Sequence, residues 1–185
     1  DAALNSKIDC VVVSTDDNDI IEIAKSSNVK VIKRPSGLAQ DDTPTLPVLQ
    51  HALLEAQDSF DAVITLQPTS PLRTHEHIND AINLFESKEN ADSLVSVVKV
   101  PHNMIPESIM KKEGDFIINY QSSKLFNRQN KPIYFARNGA AIYITKVSRL
   151  DFEVFGGKIV PFEMSLLESF DIDDEDDWTI VEKFL

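Results

Sequence analysis

Glycine is scarce in this chain, with 5 among 185 residues, and no stretch of it forms a glycine-rich cradle for a phosphate chain. Cysteine is scarcer. Cys10 stands alone, so no intramolecular disulfide forms, and its place at the head of the apolar run Cys10-Val11-Val12-Val13 makes it a buried structural thiol. Positive charge is in deficit: 18 Lys and Arg face 30 Asp and Glu, a net charge of −12. That balance argues against a nucleic-acid partner and against an anionic membrane surface, which both need basic patches. A nucleotide ligand is still compatible, because a few local cations, backbone N–H groups and a metal suffice to hold one phosphate chain. No apolar run approaches the roughly 20 residues of a membrane span. The polar, helix-like opening carries no secretory signal, and the expected location is cytoplasmic. A G-x-S-x-G nucleophile motif is missing, and His51, His75, His77 and His102 show no metal-ligand partnership, so covalent and zinc catalysis are disfavoured.

What is present is an ordered alternation of strand and helix. Residues 10–14 read as a strand buried on both faces, and Ser14-Thr15-Asp16-Asp17 offers a cap to a helix through Ile20, Ile21, Ile23 and Ala24. A short strand follows at 29–32. Thr43-Pro44 then reads as an N-cap with proline at the first helical position, opening a helix that buries Leu46, Leu49, Leu53 and Leu54 and ends near Ser59. Residues 61–66 are the next buried strand, 75–86 an amphipathic helix with Ile78, Ala81, Ile82 and Phe85 inward, and 93–100 a further strand. The pattern predicts one α/β domain over 1–185, Rossmann-like, with a mostly parallel sheet flanked by helices. Residues 101–137 are a looser excursion with a hairpin turning at Glu113-Gly114-Asp115. Strands return at 140–144 and 158–163, and a terminal helix spans 174–184. In such sheets ligands bind at the carboxyl ends of the strands. Here those ends carry Ser14-Thr15, Arg34-Pro35 and Gln67-Pro68-Thr69-Ser70.

Two constellations there carry chemistry. Asp171 and Asp173 lie two apart in a segment read as extended, where alternation sends both carboxylates to one side, as hard oxygen ligands for Mg²⁺. They also belong to the acidic run 171–177 and could simply precede a helix whose first turn takes Asp174 to Asp177. Leu66-Gln67-Pro68-Thr69-Ser70-Pro71-Leu72-Arg73 follows a strand and precedes a helix. Its prolines stiffen the turn while Gln67, Thr69, Ser70 and Arg73 offer donors to an anionic, polyhydroxylated ligand, or merely brace the connection. Arg34, Arg128 and Arg137 are cations suited to carboxylate or phosphate, and Asn138-Gly139 is also a common turn.

These motifs occur in one order: Val12-Val13-Ser14-Thr15-Asp16, Arg34-Pro35 with Leu38-Ala39-Gln40-Asp41, the Gln67 string through Thr74, Arg128-Gln129, Asn138-Gly139 with Ile142-Tyr143, and Asp171-Ile172-Asp173. Along nearly the whole chain this resembles the acylneuraminate cytidylyltransferase family, the CMP-sialic acid synthetases and their legionaminate and pseudaminate relatives. The resemblance implies transfer of CMP from CTP to the 2-hydroxyl of an acidic nine-carbon sugar, with release of pyrophosphate. It implies Mg²⁺ at Asp171 and Asp173 as the catalytic pair. Arg34, Asp41 and Thr45 would line the nucleotide pocket, and Gln67, Thr69, Ser70, Arg128, Asn138 and Tyr143 the sugar site. Residues 101–137 would form a dimerisation arm of a homodimer, reaching the partner's sugar site. A CMP-KDO-type sugar nucleotidyltransferase and a non-catalytic nucleotide- or sugar-binding relative are the alternatives. The family's opening strand and basic signature loop precede the part of the pattern seen here. The domain is therefore expected to be N-terminally incomplete, with poor CTP binding and little activity for 1–185 alone.

Overall fold

The computed structural model describes residues 1–27, 29–120 and 132–185. The first unit is β1 (Val12–Thr15), α1 (Asn18–Ser26), β2 (Lys30–Lys33) and, after a 3-10 turn, α2 (Thr45–Ala56). β1 and β2 pair in parallel, Val12 opposite Lys30 and Thr15 opposite Lys33. Asp17 caps α1, its side chain accepting from the amides of Asp19 and Ile20. Cys10 is half-buried and lies just before β1, not inside a covered strand.

α2 departs from the sequence-based expectation at three points. Pro44, not Thr43, holds the N-cap position, because the Thr43 hydroxyl is taken by the Gln40 amide in the preceding turn. The helix stops at Ala56, where Gln57 takes a left-handed conformation with φ of 54°. Leu54 is 74% exposed: α2 packs on the two-stranded β1–β2 unit, which covers only a narrow face of it.

The larger unit is a five-stranded sheet. β3 (Ala62–Thr65), β4 (Ser93–Lys99), β7 (Phe135–Arg137), β8 (Tyr143–Lys146) and β9 (Ile159–Met164) form it, with α3 (His75–Glu86) on one face. The α/β class is present, with parallel pairing at β1–β2 and β4–β9. Alternation of strand and helix does not reveal that β8 runs antiparallel between β3 and β4. β3, β4 and β9 therefore share one direction, and β8 and β7 the other. Side chains alternate between two cores. Leu94, Ile142 and Ile144 join Ile78 and Ala81 of α3 on one face, while Val95, Val97 and Tyr143 meet Val154 and Phe155 on the other.

α3 begins where the periodicity puts it. The Thr74 hydroxyl accepts from the His77 amide, and His77 Nδ1 accepts in return from the Thr74 amide. The hairpin of β5 (Met110–Glu113) and β6 (Phe116–Asn119) turns at Gly114, φ +61°, and forms a sheet of its own. Phe135–Arg137, at the end of the expected excursion, pairs with β4 in the main sheet. α4 (Glu175–Val181) closes the chain, capped by Asp174. Among the described residues no helix is long and apolar enough to cross a membrane.

Candidate active site

The site grows from a break in register. β4 pairs with β8 as Val95 opposite Tyr143, yet with β7 as Val97 opposite Arg137. Residues 138–142 thus stand opposite Ser96 alone, an outsized bulge. The expected strand at 140–144 is displaced to Tyr143–Lys146 for this reason. Ser96 holds the bulge closed: its amide donates to the Ile142 carbonyl at 2.9 Å, and its hydroxyl to Asn138 Oδ1 at 2.6 Å. Asn138 is 4% exposed, and its Nδ2 donates to Ser169 Oγ at 2.9 Å. Both ends of this amide are satisfied by the protein. Gly139 follows with φ +68°, a conformation that favours glycine.

Gly139 is also where the first carboxylate comes in. A Cβ on it would lie 2.4 Å from Asp171 Oδ2, so the missing side chain makes the space that Asp171 fills. Ser70, fully buried, donates its hydroxyl to Asp171 Oδ1 at 3.3 Å. The Ile172 amide donates to the Thr69 carbonyl at 2.8 Å. The loop expected to present donors to a ligand therefore uses Ser70 and the Thr69 backbone to hold Asp171. Asp173 is exposed, and its amide donates to Asp177 Oδ2 at 3.0 Å. Residues 170–173 run outside any strand ladder.

Arg73 braces the same corner from beneath. Its Nη1 donates to the carbonyls of Gln67 at 3.1 Å and Ala141 at 2.7 Å, tying loop to bulge. Burial pulls its pKa below the ordinary arginine value, which still leaves it a cation at neutral pH.

Beside Asp171 and Gly139 opens a cavity of about 580 Å³, on the sheet face opposite α3. Thr45, Gln67 and Tyr143 line it, as do Arg137 and Gly139. Pro44, Leu46, Val154 and Phe155 give it apolar walls, and Thr65 lies within it. Arg137 Cζ sits 5.2 Å over the Phe155 ring, a cation–π arrangement, and Tyr143 meets the same ring edge-on at 5.2 Å. The Tyr143 hydroxyl donates to the Gly139 carbonyl. Its pKa is raised, first by burial and further by Asp171, while Arg137 opposes the shift.

Of the predicted residues, then, Thr45, Gln67 and Tyr143 line the cavity, Asp171 adjoins it through Gly139, and Ser70 and Asn138 are buried supports. Arg34 is turned to the end of β1, where its guanidinium donates to Ser14, and neither it nor the exposed Asp41 lines the cavity. Arg128 lies outside the described residues. Sequence alone does not single out Phe155, Val154 or Thr65. The pair Val154-Phe155 ahead of Gly156-Gly157 was the available signal, an apolar couple fixed at a turn. Among the described residues no group of three or more His, Cys, Asp or Glu is placed to hold a metal. A site here would instead be two carboxylates completed by ligand oxygens. The hard-oxygen donors and the preformed seat of Asp171 fit a small divalent cation on those terms.

The fold is the Rossmann-like fold of nucleotidyltransferases. It superposes on CMP:2-keto-3-deoxy-manno-octonic acid synthetase complexed with CTP with a TM-score of 0.65, at 14% identity, covering 99% of this chain and 82% of that one. On 4-diphosphocytidyl-2C-methyl-D-erythritol synthase from Anaerococcus prevotii the TM-score is 0.61, at 14% identity and the same coverage. The chain belongs to the cytidylyltransferase family, whose model matches residues 1–183. It is 34% identical to post-translational flagellin modification protein B of Campylobacter coli, over 97% of this chain and 79% of that protein. It is 31% identical to N-acylneuraminate cytidylyltransferase of Escherichia coli, over 97% of this chain but 43% of that protein. The chain thus spans less than half of that longer relative.

Proposed function

We propose that this protein transfers CMP from CTP to the 2-hydroxyl of an acidic nine-carbon sugar of the sialic, legionaminic or pseudaminic type. The observation that carries the proposal is Asp171, seated by Gly139 and Ser70 at the edge of a cavity that Gln67, Thr45, Arg137 and Tyr143 line. The family membership and the activity named in the E. coli relative agree with it.

In this reading the acceptor's 2-hydroxyl oxygen bonds to the α-phosphorus and loses its proton to solvent. The bond from that phosphorus to the bridging oxygen breaks, and pyrophosphate leaves. Positioning and charge neutralisation supply most of the rate, with no covalent intermediate. Asp171 and Asp173 would hold Mg²⁺, which when bound neutralises charge on the phosphates. Gln67 and Arg137 orient the acid, the guanidinium by pairing with its carboxylate. Thr45, at the start of α2, faces the nucleotide, while Arg34, held on Ser14, and the exposed Asp41 stand apart from the cavity. Ser70 and Asn138 act through the residues they position. The exposed apolar hairpin β5–β6 supports a homodimer built through that hairpin, and a CTP-consuming reaction goes with a cytoplasmic location.

The deciding experiment is pyrophosphate release by the full-length protein with CTP, Mg²⁺ and a panel of sialic, legionaminic, pseudaminic and KDO acids. Turnover with a nine-carbon acid is the expected result. Release with KDO alone would move the protein to the eight-carbon branch, and no release with any acid would overturn the reading.

A further inference from the structure

Thr65 ends β3 directly opposite Tyr143 on β8, and opposed residues in an antiparallel pair share a face. Gln67, two residues on, lines the same cavity. Thr65 is 8% exposed, and its hydroxyl has no hydrogen-bond partner among the described residues. The other hydroxyl at that level is occupied, since Tyr143 donates to the Gly139 carbonyl. Nearby buried hydroxyls are also spent: Ser70 on Asp171, Ser96 on Asn138 and Ile142. A buried hydroxyl left unmatched is costly to keep, and a valine of the same shape avoids that cost.

We infer that Thr65 is a specificity-determining residue of the acceptor site, its hydroxyl bonding a neutral polar group, a hydroxyl or acylamido N–H or C=O, of the bound sugar acid. The inference rests on the reading of the cavity as an acceptor site. A neutral partner is required because the Thr65 hydroxyl is buried at the cavity wall, whereas the charged end of the acid has the exposed Arg137. A site built to bond a polar group discriminates strongly against a ligand lacking it, since its own buried group is then left unmatched.

The test uses the full-length protein and the variants Thr65→Val and Thr65→Ser. Thr65→Val should lower kcat/KM for the sugar acid by about 10–100-fold, leave the KM for CTP within about twofold, and leave the thermal midpoint equal or higher. Thr65→Ser should recover most of the loss. Against acceptor analogues each lacking one hydroxyl or acylamido group, the wild type should reject one strongly, and Thr65→Val should no longer distinguish that analogue from the parent acid. Calorimetric titration of the sugar acid without CTP should show the same contrast, so the result does not depend on turnover. An unchanged kcat/KM in Thr65→Val would overturn the inference while leaving the activity standing. A fall in stability matching the fall in activity, or an effect on CTP alone, would overturn it as well. A wild-type protein that neither binds nor turns over any sugar acid would bring down the reading beneath it.

Discussion

The bulge at 138–142 and the hairpin β5–β6 both invert the usual arrangement of a protein interior and surface, in opposite senses. At the bulge, polar side chains are inside. Asn138, Ser96, Ser169 and Ser70 are buried and bonded to one another or to Asp171. On the hairpin, apolar side chains are outside: Phe116 is 77% exposed, with Ile117, Ile118 and Met110 exposed beside it. A buried polar group or an exposed apolar cluster is informative where an exposed leucine is not. The first inversion fixes a carboxylate and a loop in place, and the second leaves apolar surface uncovered among the described residues.

Four substitutions sharpen that contrast. The largest effect is expected at Asp171, where Asp171→Asn should reduce pyrophosphate release by about 100–1000-fold, by loss of charge where it is needed, with little change in thermal unfolding. Gly139→Ala should cost about 1–3 kcal/mol, from strain at φ +68° and displacement of the Asp171 carboxylate, and should reduce turnover alongside. Denaturant unfolding read together with turnover checks it; a fully stable and active alanine variant would break the picture of the bulge.

Tyr143→Phe should cost about 0.5–1.5 kcal/mol at neutral pH, through the lost bond to the Gly139 carbonyl. Its pH dependence has a definite sign. The folded pKa of Tyr143 is raised, so folding favours the neutral phenol. That contribution is complete below the ordinary value of 10.0 and disappears as pH climbs through the higher folded value. Stability measured from pH 9 to 12 should therefore fall less steeply in Tyr143→Phe than in the wild type, on the basis of that linkage. The smallest effect on stability belongs to the hairpin. Phe116→Ser should change unfolding by no more than about 0.5 kcal/mol, yet shift the sedimentation of the protein toward the monomer.

The same contrast decides what the sequence discloses. α3 is legible to both ends because its signals are local: Thr74 and His77 cap it, and Ile78 and Ala81 repeat at helical spacing. Asp171-Ile172-Asp173 and the Gln67 string are legible as motifs, since short strings keep their residues wherever the chain goes. The bulge is not legible, because a four-residue slip between β7 and β8 exists only relative to β4. Ser70 reads as a ligand donor from its place in the loop, but burial beneath Asp171 makes it a support. Leu54 fits the apolar stripe of its helix, while the sheet below is too narrow to cover it. Phe155 sits in an irregular segment with no period to mark it, and only the fold brings it under Arg137.

Arg73 shows how such a protein can drift. One guanidinium nitrogen spans two carbonyls that belong to different segments of chain, a geometry that a lysine ammonium on its flexible stem does not reproduce. The identity of residue 73 is thereby dictated by the backbone around it and not by the compound that is bound. Cousins with new acceptor preferences can arise by exchanging the cavity's wall residues over an unaltered chassis, because the framework and the recognition surface answer to separate constraints.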